Sequence, residues 1–364
     1  MTDVAIFLMD LQGGGAEKVM LNIANGLAAK GLEIDLVLVQ TKGEYVEQIS
    51  TQVNLVELSC SRLISALPSL ASYLRKNRPK ALLSALEDTN IVAIFAKLLA
   101  NSSSRLVVTV HNHLAHEIAH SKNLKRKLVP YLLRWIYSYA DAVVGVSQGV
   151  VDNLVDFGVA KHKTFKIYNP IITPDLTEKL SGQIEQPSFQ LDQRPLILGV
   201  GRLTKQKDFQ TLIFALKAAR KFLSAHLVIL GDGEDKAHLV NLVHQLGLQD
   251  AVTFLGFVSN PYIFMREADV FVLSSAWEGF GNVLVEAMFC GTPVVSTDCE
   301  SGPAEILENG KYGYLVEVGH AESMAQAIVD TLQKKPVGSE ALKQRASTFS
   351  LENSLAKYME LLKV

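Results

Sequence analysis

Short apolar runs alternate with stretches of helical periodicity along the whole chain. Most of these runs are apolar throughout, without the alternation expected of a strand that faces water on one side. Parallel sheets covered by helices on both faces require such strands. The pattern therefore predicts an α/β protein with two doubly wound, Rossmann-like parallel sheets, one in each half of the chain. The predicted strands are VAIFLMDL, IDLVLVQ, ALLSAL, RLVVTV and AVVGVS in the first half, and LILGVG, HLVILG, VTFLG, VFVLSS, TPVVST and YGYLVEV in the second.

A polar stretch with proline and glutamine, SGQIEQPSFQLDQRP, separates the two series of strands. At about 150 residues per domain, a chain of 364 residues has room for two domains. Ligands of doubly wound sheets bind beyond the carboxyl ends of the strands, so two domains facing each other predict a cleft lined by strand-end loops. We place an N-terminal domain at 1–172, a linker at 173–194, a C-terminal domain at 195–346 and a helix at 347–364, for which a return to the N-terminal domain is one arrangement.

The composition narrows the class of protein without identifying a function. Hydrophobic residues make up 48% and charged residues 20%, and the formal net charge is -2, so the bulk composition does not favour nucleic acid as a partner. The three cysteines have no zinc-site or redox spacing, which fits a reducing cytoplasm. The N-terminal MTDVAIFLMD carries acids where a secretion signal has basic residues, and no apolar run approaches the ~20 residues that span a bilayer. We expect a cytoplasmic protein without a transmembrane segment.

Three glycines, at 13–15, follow the first predicted strand and open a helix. Such a loop lets backbone amides approach a phosphate or a sugar, and a tight strand-to-helix turn is an equally good explanation. The dinucleotide spacing G-x-G-x-x-G is absent, and Gln40 and Thr41 stand where a ribose-binding acid would end the second strand, which argues against a nicotinamide cofactor. The glycine loop at 231–233 poses the same choice, and its Asp-Gly step favours a plain turn.

Two cations and two acids lie near the carboxyl ends of predicted strands in the second half. Arg202 follows LILGVG, and Lys207 comes five residues later, ahead of a helix. Glu278 and Glu286 flank the start of another helix, where Asn282 or a neighbour can form the N-cap. Cations and the amide groups of a helix start suit a diphosphate, whereas two carboxylates suit the hydroxyl groups of sugar rings on either side of it. A solvated basic loop with two ordinary surface or first-turn acids is the alternative.

These segments and several others resemble the retaining glycosyltransferases of family 4, which have the two-domain GT-B fold. The resemblance runs the length of the chain, and the two glutamates with seven residues between them, behind a Gly-Arg-Leu loop, are specific for this family. The matching segments are GGGAEKV, VVTVHN, DAVVGVSQGV, KIYNPI, VGRLTKQKD, VILGDGE, VTFLGFV, ADVFVLSSAWEGFGNVLVEAMFCGTPVVSTD and GYLV.

The resemblance implies a nucleotide-diphosphate sugar as donor, bound mainly by the C-terminal domain, and an acceptor bound mainly by the N-terminal domain. Arg202 and Lys207 would hold the diphosphate, and Glu278 would position the transferred sugar without acting as a nucleophile. Glu286 would bind the ribose, and His111 would reach the donor sugar from the other domain. The other implied donor-binding residues are Val258, whose backbone would read the base, Gly14 and Gly15, which would border the diphosphate and the acceptor, and Gly281, Asn282, Val283 and Leu284. Neither a metal ion nor a cofactor is implied, and retention is attributed to front-face attack.

The histidines of HNHLAHEIAH raise the question of a metal site. Besides His111, the segment contains His113, His116 and His120, and the last two have the spacing that places two ligands on one face of a helix. The order HExxH is absent. Ordinary polar or acceptor-side roles are therefore favoured for these three residues.

The segment 122–139, KNLKRKLVPYLLRWIYSY, combines basic and aromatic residues as shallow docking on an anionic membrane requires. A charged helix face packed on its own domain explains the pattern equally well. Many members of the family extend lipid-linked saccharides, so we expect an acceptor linked to polyprenyl diphosphate or another lipid, in surface polysaccharide or glycan assembly, with peripheral contact at the inner face of the plasma membrane. TDCESGPAEIL is similar to members that use a UDP-linked N-acetylhexosamine, and a UDP-linked hexose or N-acetylhexosamine is the expected donor.

Two other classes of protein share features of this pattern. A GT-B-fold epimerase of UDP-sugars would have the same domains and diphosphate site, and it would isomerise the UDP-sugar without an acceptor. A two-domain solute-binding protein would bind sugar without turnover, but such proteins carry a secretion signal, which the N-terminal sequence does not resemble. The transferase is the favoured prediction.

Overall fold

The structure is a computed structural model, and it describes residues 2–12, 14–112, 132–183 and 194–364. The chain forms two compact units. The N-terminal unit comprises residues 1–171 and 350–364, and the C-terminal unit comprises residues 172–349. Each unit is built on one sheet. No helix within the described ranges is both long enough and apolar enough to cross a bilayer.

The sheet of the N-terminal unit has seven strands in the order β3-β2-β1-β4-β5-β6-β7, and all neighbouring strands are parallel. Its central strands are buried along their whole length, as expected where helices cover both faces. The strands are β1 (Val4–Leu8), β2 (Ile34–Leu38), β3 (Val53–Glu57), β4 (Ala81–Ala85), β5 (Arg105–Val110), β6 (Ala142–Gly145) and β7 (Thr164–Lys166). The helices are α1 (Gly15–Ala29), α2 (Ala66–Asn77), α3 (Glu87–Ala100) and α4 (Gln148–Asp156), with short 3-10 turns at Val46–Gln48, Leu63–Ser65 and Lys161–Lys163 and helical residues at 132–137.

The C-terminal unit has six parallel strands in the order β10-β9-β8-β11-β12-β13. Its core forms between this sheet and the helices, where residues such as Leu212, Leu239 and Ile328 are buried. The strands are β8 (Leu196–Val200), β9 (His226–Leu230), β10 (Val252–Gly256), β11 (Val270–Leu273), β12 (Val294–Thr297) and β13 (Tyr314–Val316). The helices are α5 (Leu176–Lys179), α6 (Phe209–Ala219), α7 (Lys236–Leu246), α8 (Tyr262–Glu267), α9 (Asn282–Phe289), α10 (Pro303–Ile306), α11 (Ala321–Lys334) and α12 (Ser339–Ser347).

The last helix, α13 (Leu351–Leu362), belongs to the N-terminal unit. Its N-cap Ser350 accepts a hydrogen bond from the Asn353 amide. The Arg105 side chain donates to the Leu361 carbonyl at 2.5 Å, and the Ser354 hydroxyl donates to the Tyr168 carbonyl at 2.8 Å. These bonds attach the end of the chain to the unit that the beginning of the chain forms.

The order of the strands along each sheet reverses direction at one point. In the N-terminal unit this point lies between β1 and β4, and in the C-terminal unit it lies between β8 and β11. Loops that leave neighbouring strands at such a point diverge to opposite faces of the sheet and leave a crevice beyond the strand ends. The loops after β8 and β11 carry Arg202, Lys207 and Glu278, so the topology alone brings the predicted residues to one place.

The predicted fold class is confirmed, since both units are α/β with a parallel sheet. All six strands predicted in the second half are present as β8 to β13. In the first half the prediction missed β3 and β7, which are the two edge strands. Only Val53 of the five β3 residues is buried, and β7 has only three residues, so neither gives the continuous apolar run that identified the other strands.

Candidate active site

Arg202 and Lys207 lie in the loop that joins β8 to α6. The Arg202 residue is exposed, whereas only 17% of the Lys207 side chain is exposed. The aliphatic part of Lys207 lies over the backbone of Gly201, where an added Cβ would come within 3.3 Å of three Lys207 carbons. One loop thus presents a guanidinium group to solvent and directs an ammonium group towards the protein.

Glu278 lies in the loop after β11 and is buried, with 6% of the residue exposed. Its Oε1 accepts a hydrogen bond from Lys207 Nζ at 2.5 Å and another from Ser275 Oγ at 2.6 Å. A buried carboxylate is stable only when a cation and hydrogen-bond donors compensate for its lost hydration. The fold therefore joins Lys207 and Glu278, which are 71 residues apart in the chain, in one ion pair.

Further hydrogen bonds hold the loop after β8 against the loop after β11. The Ala276 amide donates to the Gln206 carbonyl at 2.8 Å, and the Gln206 side chain donates to the Trp277 carbonyl at 3.1 Å. The Ser274 hydroxyl donates to the Lys207 carbonyl at 2.8 Å. Backbone on both sides of the ion pair is thereby fixed before any ligand binds.

The glycine loop after β9 lies directly against the loop of Arg202. A Cβ on Gly231 would lie 2.0 Å from the Gly201 carbonyl oxygen, and one on Gly233 would lie 2.4 Å from the Leu203 carbonyl oxygen. The Leu203 amide donates to the Asp232 carbonyl at 3.0 Å. These glycines allow a close backbone approach that supports residues 201–203, in addition to forming the turn that the sequence favours.

A second loop, at 298–302, supports the turn that follows Glu278. Gly302 has a φ of 101°, and a Cβ on it would lie 1.8 Å from the carbonyl oxygen of Phe280. Burial, and after it the Glu278 carboxylate, raises the pKa of the Cys299 thiol to about 12. Cys299 is therefore an uncharged, buried neighbour of Glu278.

We expect Gly302→Ala to lower the free energy of unfolding by about 1 to 3 kcal/mol more than Gly319→Ala does. Both glycines have positive φ, so both variants carry the backbone strain of a Cβ in that conformation, but only at Gly302 does the Cβ meet a backbone oxygen. Urea denaturation of the two variants measures the difference. Equal destabilisation would show that the Phe280 carbonyl can move away at no cost.

Helix α9 begins at Asn282, and the N-cap is its neighbour Gly281 with a φ of 100°. Asn282 is thus the first helical residue and not the cap. Gly281 and Leu284 are buried, while Asn282 and Val283 are partly exposed. The start of a helix carries partial positive charge, so this end of α9 is suited to an anion.

Glu286 lies one turn into α9 and is half-buried. Its Oε1 accepts a hydrogen bond from the hydroxyl of Tyr262, the first residue of α8, at 3.2 Å. The α8 and α9 helices pack on each other, and the Cys290 thiol donates to the Tyr262 carbonyl at 3.7 Å. Glu286 is therefore held in place by its neighbouring helix.

Val258 lies in the loop that connects β10 to α8, and it is partly exposed. The preceding Phe257 is 58% exposed. The Gly256 carbonyl at the start of this loop accepts a hydrogen bond from the Gly231 amide at 2.7 Å. The loop thus extends from the glycine loop that supports Arg202 to the helix that holds Glu286.

In the N-terminal unit, Gly14 is the N-cap of α1 and Gly15 is its first residue. Gly15 is exposed, and Gly14 is partly exposed. A Cβ on Gly14 would lie 2.1 Å from a carboxylate oxygen of Glu17, so the Glu17 side chain folds back over the start of the helix. Residue 13 lies outside the described residues.

His111 directly follows β5 and is buried, with 8% of the residue exposed. Its Nε2 is 3.0 Å from the Thr109 hydroxyl. Burial lowers the pKa of His111 from 6.5 to about 4, because the charged imidazolium cannot be hydrated there. At neutral pH the ring is uncharged and is suited to hydrogen bonding with a neutral group such as a sugar hydroxyl.

Several predicted features fall outside the described residues. His113, His116 and His120 do so, and so does the segment 122–139 up to residue 131. Their predicted roles therefore stay predictions. Ser275 and Tyr262, which hold Glu278 and Glu286, were not predicted. Residues with hydroxyl groups are common near the ends of strands and helices, so the sequence gives no signal that these two support the site.

Comparison with known proteins gives matches along nearly the whole chain. Residues 13–173 match the sequence profile of the family described as Glycosyltransferase Family 4, and residues 182–348 match that of Glycosyl transferases group 1. A protein of Campylobacter jejuni is 32% identical over 96% of this chain and 94% of its own length. That protein is named as N-acetylgalactosamine-N,N'-diacetylbacillosaminyl-diphospho-undecaprenol 4-alpha-N-acetylgalactosaminyltransferase.

Other similar proteins have the same overall length. A lipopolysaccharide core biosynthesis glycosyltransferase of Rhizobium meliloti is 26% identical over 96% of both chains. Among solved structures, the Anabaena protein HepE in complex with UDP and glucose superposes with a TM-score of 0.81, at 22% identity and over 100% of both chains. At this level of identity the structural likeness shows a shared fold.

Proposed function

We propose a transfer reaction for this chain, which belongs to the family 4 glycosyltransferases of group 1. The chain is a glycosyltransferase of glycan assembly, a role supported by the names of its Campylobacter and Rhizobium relatives. The proposed donor is a UDP-linked hexose or N-acetylhexosamine, and the proposed acceptor is a polyprenyl-diphosphate-linked or other lipid-linked saccharide. The name of the Campylobacter relative, an N-acetylgalactosaminyltransferase that acts on a diphospho-undecaprenol, supports the proposed N-acetylhexosamine and the proposed acceptor. The UDP bound in the HepE structure supports the proposed nucleotide.

The observation that carries the proposal is the Lys207–Glu278 ion pair at the point where the strand order of the C-terminal sheet reverses. A diphosphate leaving group develops negative charge as its bond to the sugar breaks. Positive charge beyond the carboxyl ends of β8 and β11 comes from Lys207, Arg202 and the start of α9. Glu278, next to Lys207, is available for the hydroxyl groups of the sugar. We propose that these side chains stabilise the leaving group without a metal ion.

The environment of Glu278 supports a positioning role and argues against a nucleophilic one. Its Oε1 already accepts hydrogen bonds from an ammonium group and from a hydroxyl group. Both contacts stabilise the negative charge and so lower the reactivity of the carboxylate towards an electrophilic carbon. We therefore propose retention by front-face attack, in which the departing phosphate accepts the proton of the acceptor hydroxyl. An uncharged His111 is suited to bind a sugar hydroxyl.

Exposed apolar side chains on the N-terminal unit support a proposed contact with the membrane that carries the acceptor. Trp135 is 63% exposed, and the Arg134 guanidinium lies 4.9 Å from the centre of its ring. Aromatic and cationic side chains together suit the interface of an anionic bilayer. The other large apolar residues of the unit that are exposed, among those described, are Leu55, Ile64, Phe95, Leu98, Leu99, Leu132, Tyr139 and Phe165.

The donor and acceptor are tested by incubating the purified protein with UDP-, GDP- and ADP-sugars and a membrane lipid extract. Mass spectrometry of the lipid fraction should show a saccharide lengthened by one hexose or N-acetylhexosamine with a UDP-sugar. Anomeric assignment by NMR then tests retention. A product that forms from the UDP-sugar without any lipid acceptor would contradict the proposed transfer.

We expect Arg202→Ala to lower kcat in detergent by at least about tenfold, because one cation of the diphosphate site is lost. Arg134→Ala should leave kcat in detergent within about twofold and instead weaken binding to vesicles that contain anionic lipid, by about 1 kcal/mol. Detergent assays and vesicle sedimentation measure the two effects. Equal losses of kcat in detergent would contradict this division of roles.

A further inference from the structure

Each glutamate of the donor site receives a hydrogen bond from the hydroxyl group of a buried residue. Ser275 Oγ donates to Glu278 Oε1 at 2.6 Å, and the Tyr262 hydroxyl donates to Glu286 Oε1 at 3.2 Å. Ser275 is fully buried, and Tyr262 is 9% exposed. The bond from Ser275 is buried and therefore shielded from bulk water, whereas the bond from Tyr262 is partly buried.

The Ser275 hydroxyl and Lys207 Nζ both contact the same oxygen of Glu278. With Oε1 fixed by two donors, rotation of the carboxylate about its terminal bond is restricted and the position of Oε2 is set. Ser275 is itself anchored, because its carbonyl accepts a hydrogen bond from the Thr297 hydroxyl of β12 at 2.6 Å. The strand end therefore determines where the second oxygen of Glu278 is presented.

Tyr262 holds Glu286 in a similar way. Its amide donates to the Asn260 side chain at 3.2 Å, and its carbonyl accepts from the Cys290 thiol at 3.7 Å. These contacts fix the backbone that carries the ring. The hydroxyl then restrains Glu286, which begins the second turn of α9, in one orientation.

We infer that Ser275 and Tyr262 are positioning residues of the donor site, Ser275 for the carboxylate that meets the transferred sugar and Tyr262 for the carboxylate that meets the ribose. The inference rests on the proposed function, and it takes the assignment of one ring to each glutamate from the family resemblance. A long acidic side chain loses rotamer freedom when it binds a ligand, and a fixed hydroxyl donor removes part of that loss in advance. The two hydroxyls should therefore affect different parts of the donor.

The test compares Ser275→Ala and Tyr262→Phe by calorimetric titration with UDP and with UDP-N-acetylgalactosamine, and by steady-state kinetics. Ser275→Ala should leave the affinity for UDP within about twofold, remove the additional affinity that the sugar provides, and lower kcat about tenfold, since a misplaced group costs transition-state stabilisation. Tyr262→Phe should weaken the binding of UDP and of the UDP-sugar equally, by about 3- to 10-fold, and leave kcat at saturating donor within about twofold.

Two variants serve as matched controls in the same unit. Ser296 is also fully buried, and its hydroxyl donates to the neighbouring backbone carbonyl of Thr297 at 2.9 Å, so Ser296→Ala removes a buried hydroxyl that contacts neither glutamate. Tyr314→Phe removes a tyrosine hydroxyl from β13. A merely structural role would lower the thermal midpoint of Ser275→Ala or Tyr262→Phe without separating affinity from kcat.

The inference is supported if Ser275→Ala lowers mainly kcat and Tyr262→Phe lowers mainly UDP affinity. It is overturned if each variant behaves as its control does, or if each variant lowers UDP affinity and kcat together. The titrations need neither acceptor nor turnover. A protein that shows the expected binding pattern and transfers no sugar would contradict the proposed function and support this assignment. A protein that transfers sugar while both variants match their controls would overturn this assignment alone.

Discussion

We expect Lys207→Ala to lower kcat by about 10²- to 10³-fold, a larger loss than we expect from Arg202→Ala or Ser275→Ala. The ammonium group is held at 2.5 Å from Glu278, so it is in place before the donor binds and does not need to be ordered during the reaction. Its removal takes away a fixed positive charge next to the leaving diphosphate. The substitution also leaves the buried Glu278 carboxylate without its cation, which destabilises the site and lowers kcat further.

Lys205→Ala is the matched control for this prediction. Lys205 lies in the same loop two residues before Lys207, and it is exposed. A surface cation contributes little to local stability, so the control should keep kcat within about twofold. Steady-state kinetics with thermal unfolding of both variants gives the comparison. If Lys207→Ala retained kcat while Lys205→Ala lost it, the diphosphate would have to lie on the outer side of the loop.

The same two loops show how much of the site the sequence alone predicts. Arg202, Lys207 and Glu278 are charged residues directly after apolar strands, and a parallel sheet places such residues at one edge. The contact between Lys207 and Glu278 was not predicted, because their pairing depends on β8 and β11 being neighbours across 71 residues of chain. Strand order is set by the packing of the whole unit, and local patterns do not report it.

The supporting residues of the site were the hardest to predict. The sequence at 231–233 indicates a plain turn, because the approach of this loop to 201–203 depends on β8 and β9 lying side by side. Ser275 and Tyr262 are hydroxyl residues near element ends, where such residues are common for local reasons. The strands gave a stronger signal, except for β3 and β7, whose positions at the sheet edges leave part of their residues exposed.

Glu286→Ala should weaken the binding of the donor nucleotide by about 1.5 to 3 kcal/mol, the range of hydrogen bonds to a charged group. Glu286 is half-buried and restrained by Tyr262, so its carboxylate is positioned for the ribose hydroxyls without a large ordering cost. Calorimetric titration with UDP, GDP and ADP measures the loss, which corresponds to about 10- to 150-fold in Kd.

The control for Glu286→Ala is Glu340→Ala, which removes an exposed acid from the first turn of α12 in the same unit. An acid in the first turn of a helix stabilises that helix through the dipole by a few tenths of a kcal/mol to about 1 kcal/mol. Glu340→Ala loses this contribution, whereas Glu286 begins the second turn of α9. Only Glu286→Ala should lose nucleotide affinity, because only Glu286 lies beside the predicted diphosphate site. Unchanged affinity for all three nucleotides would remove Glu286 from the ribose site and leave its bond to Tyr262 as a contact between two helices.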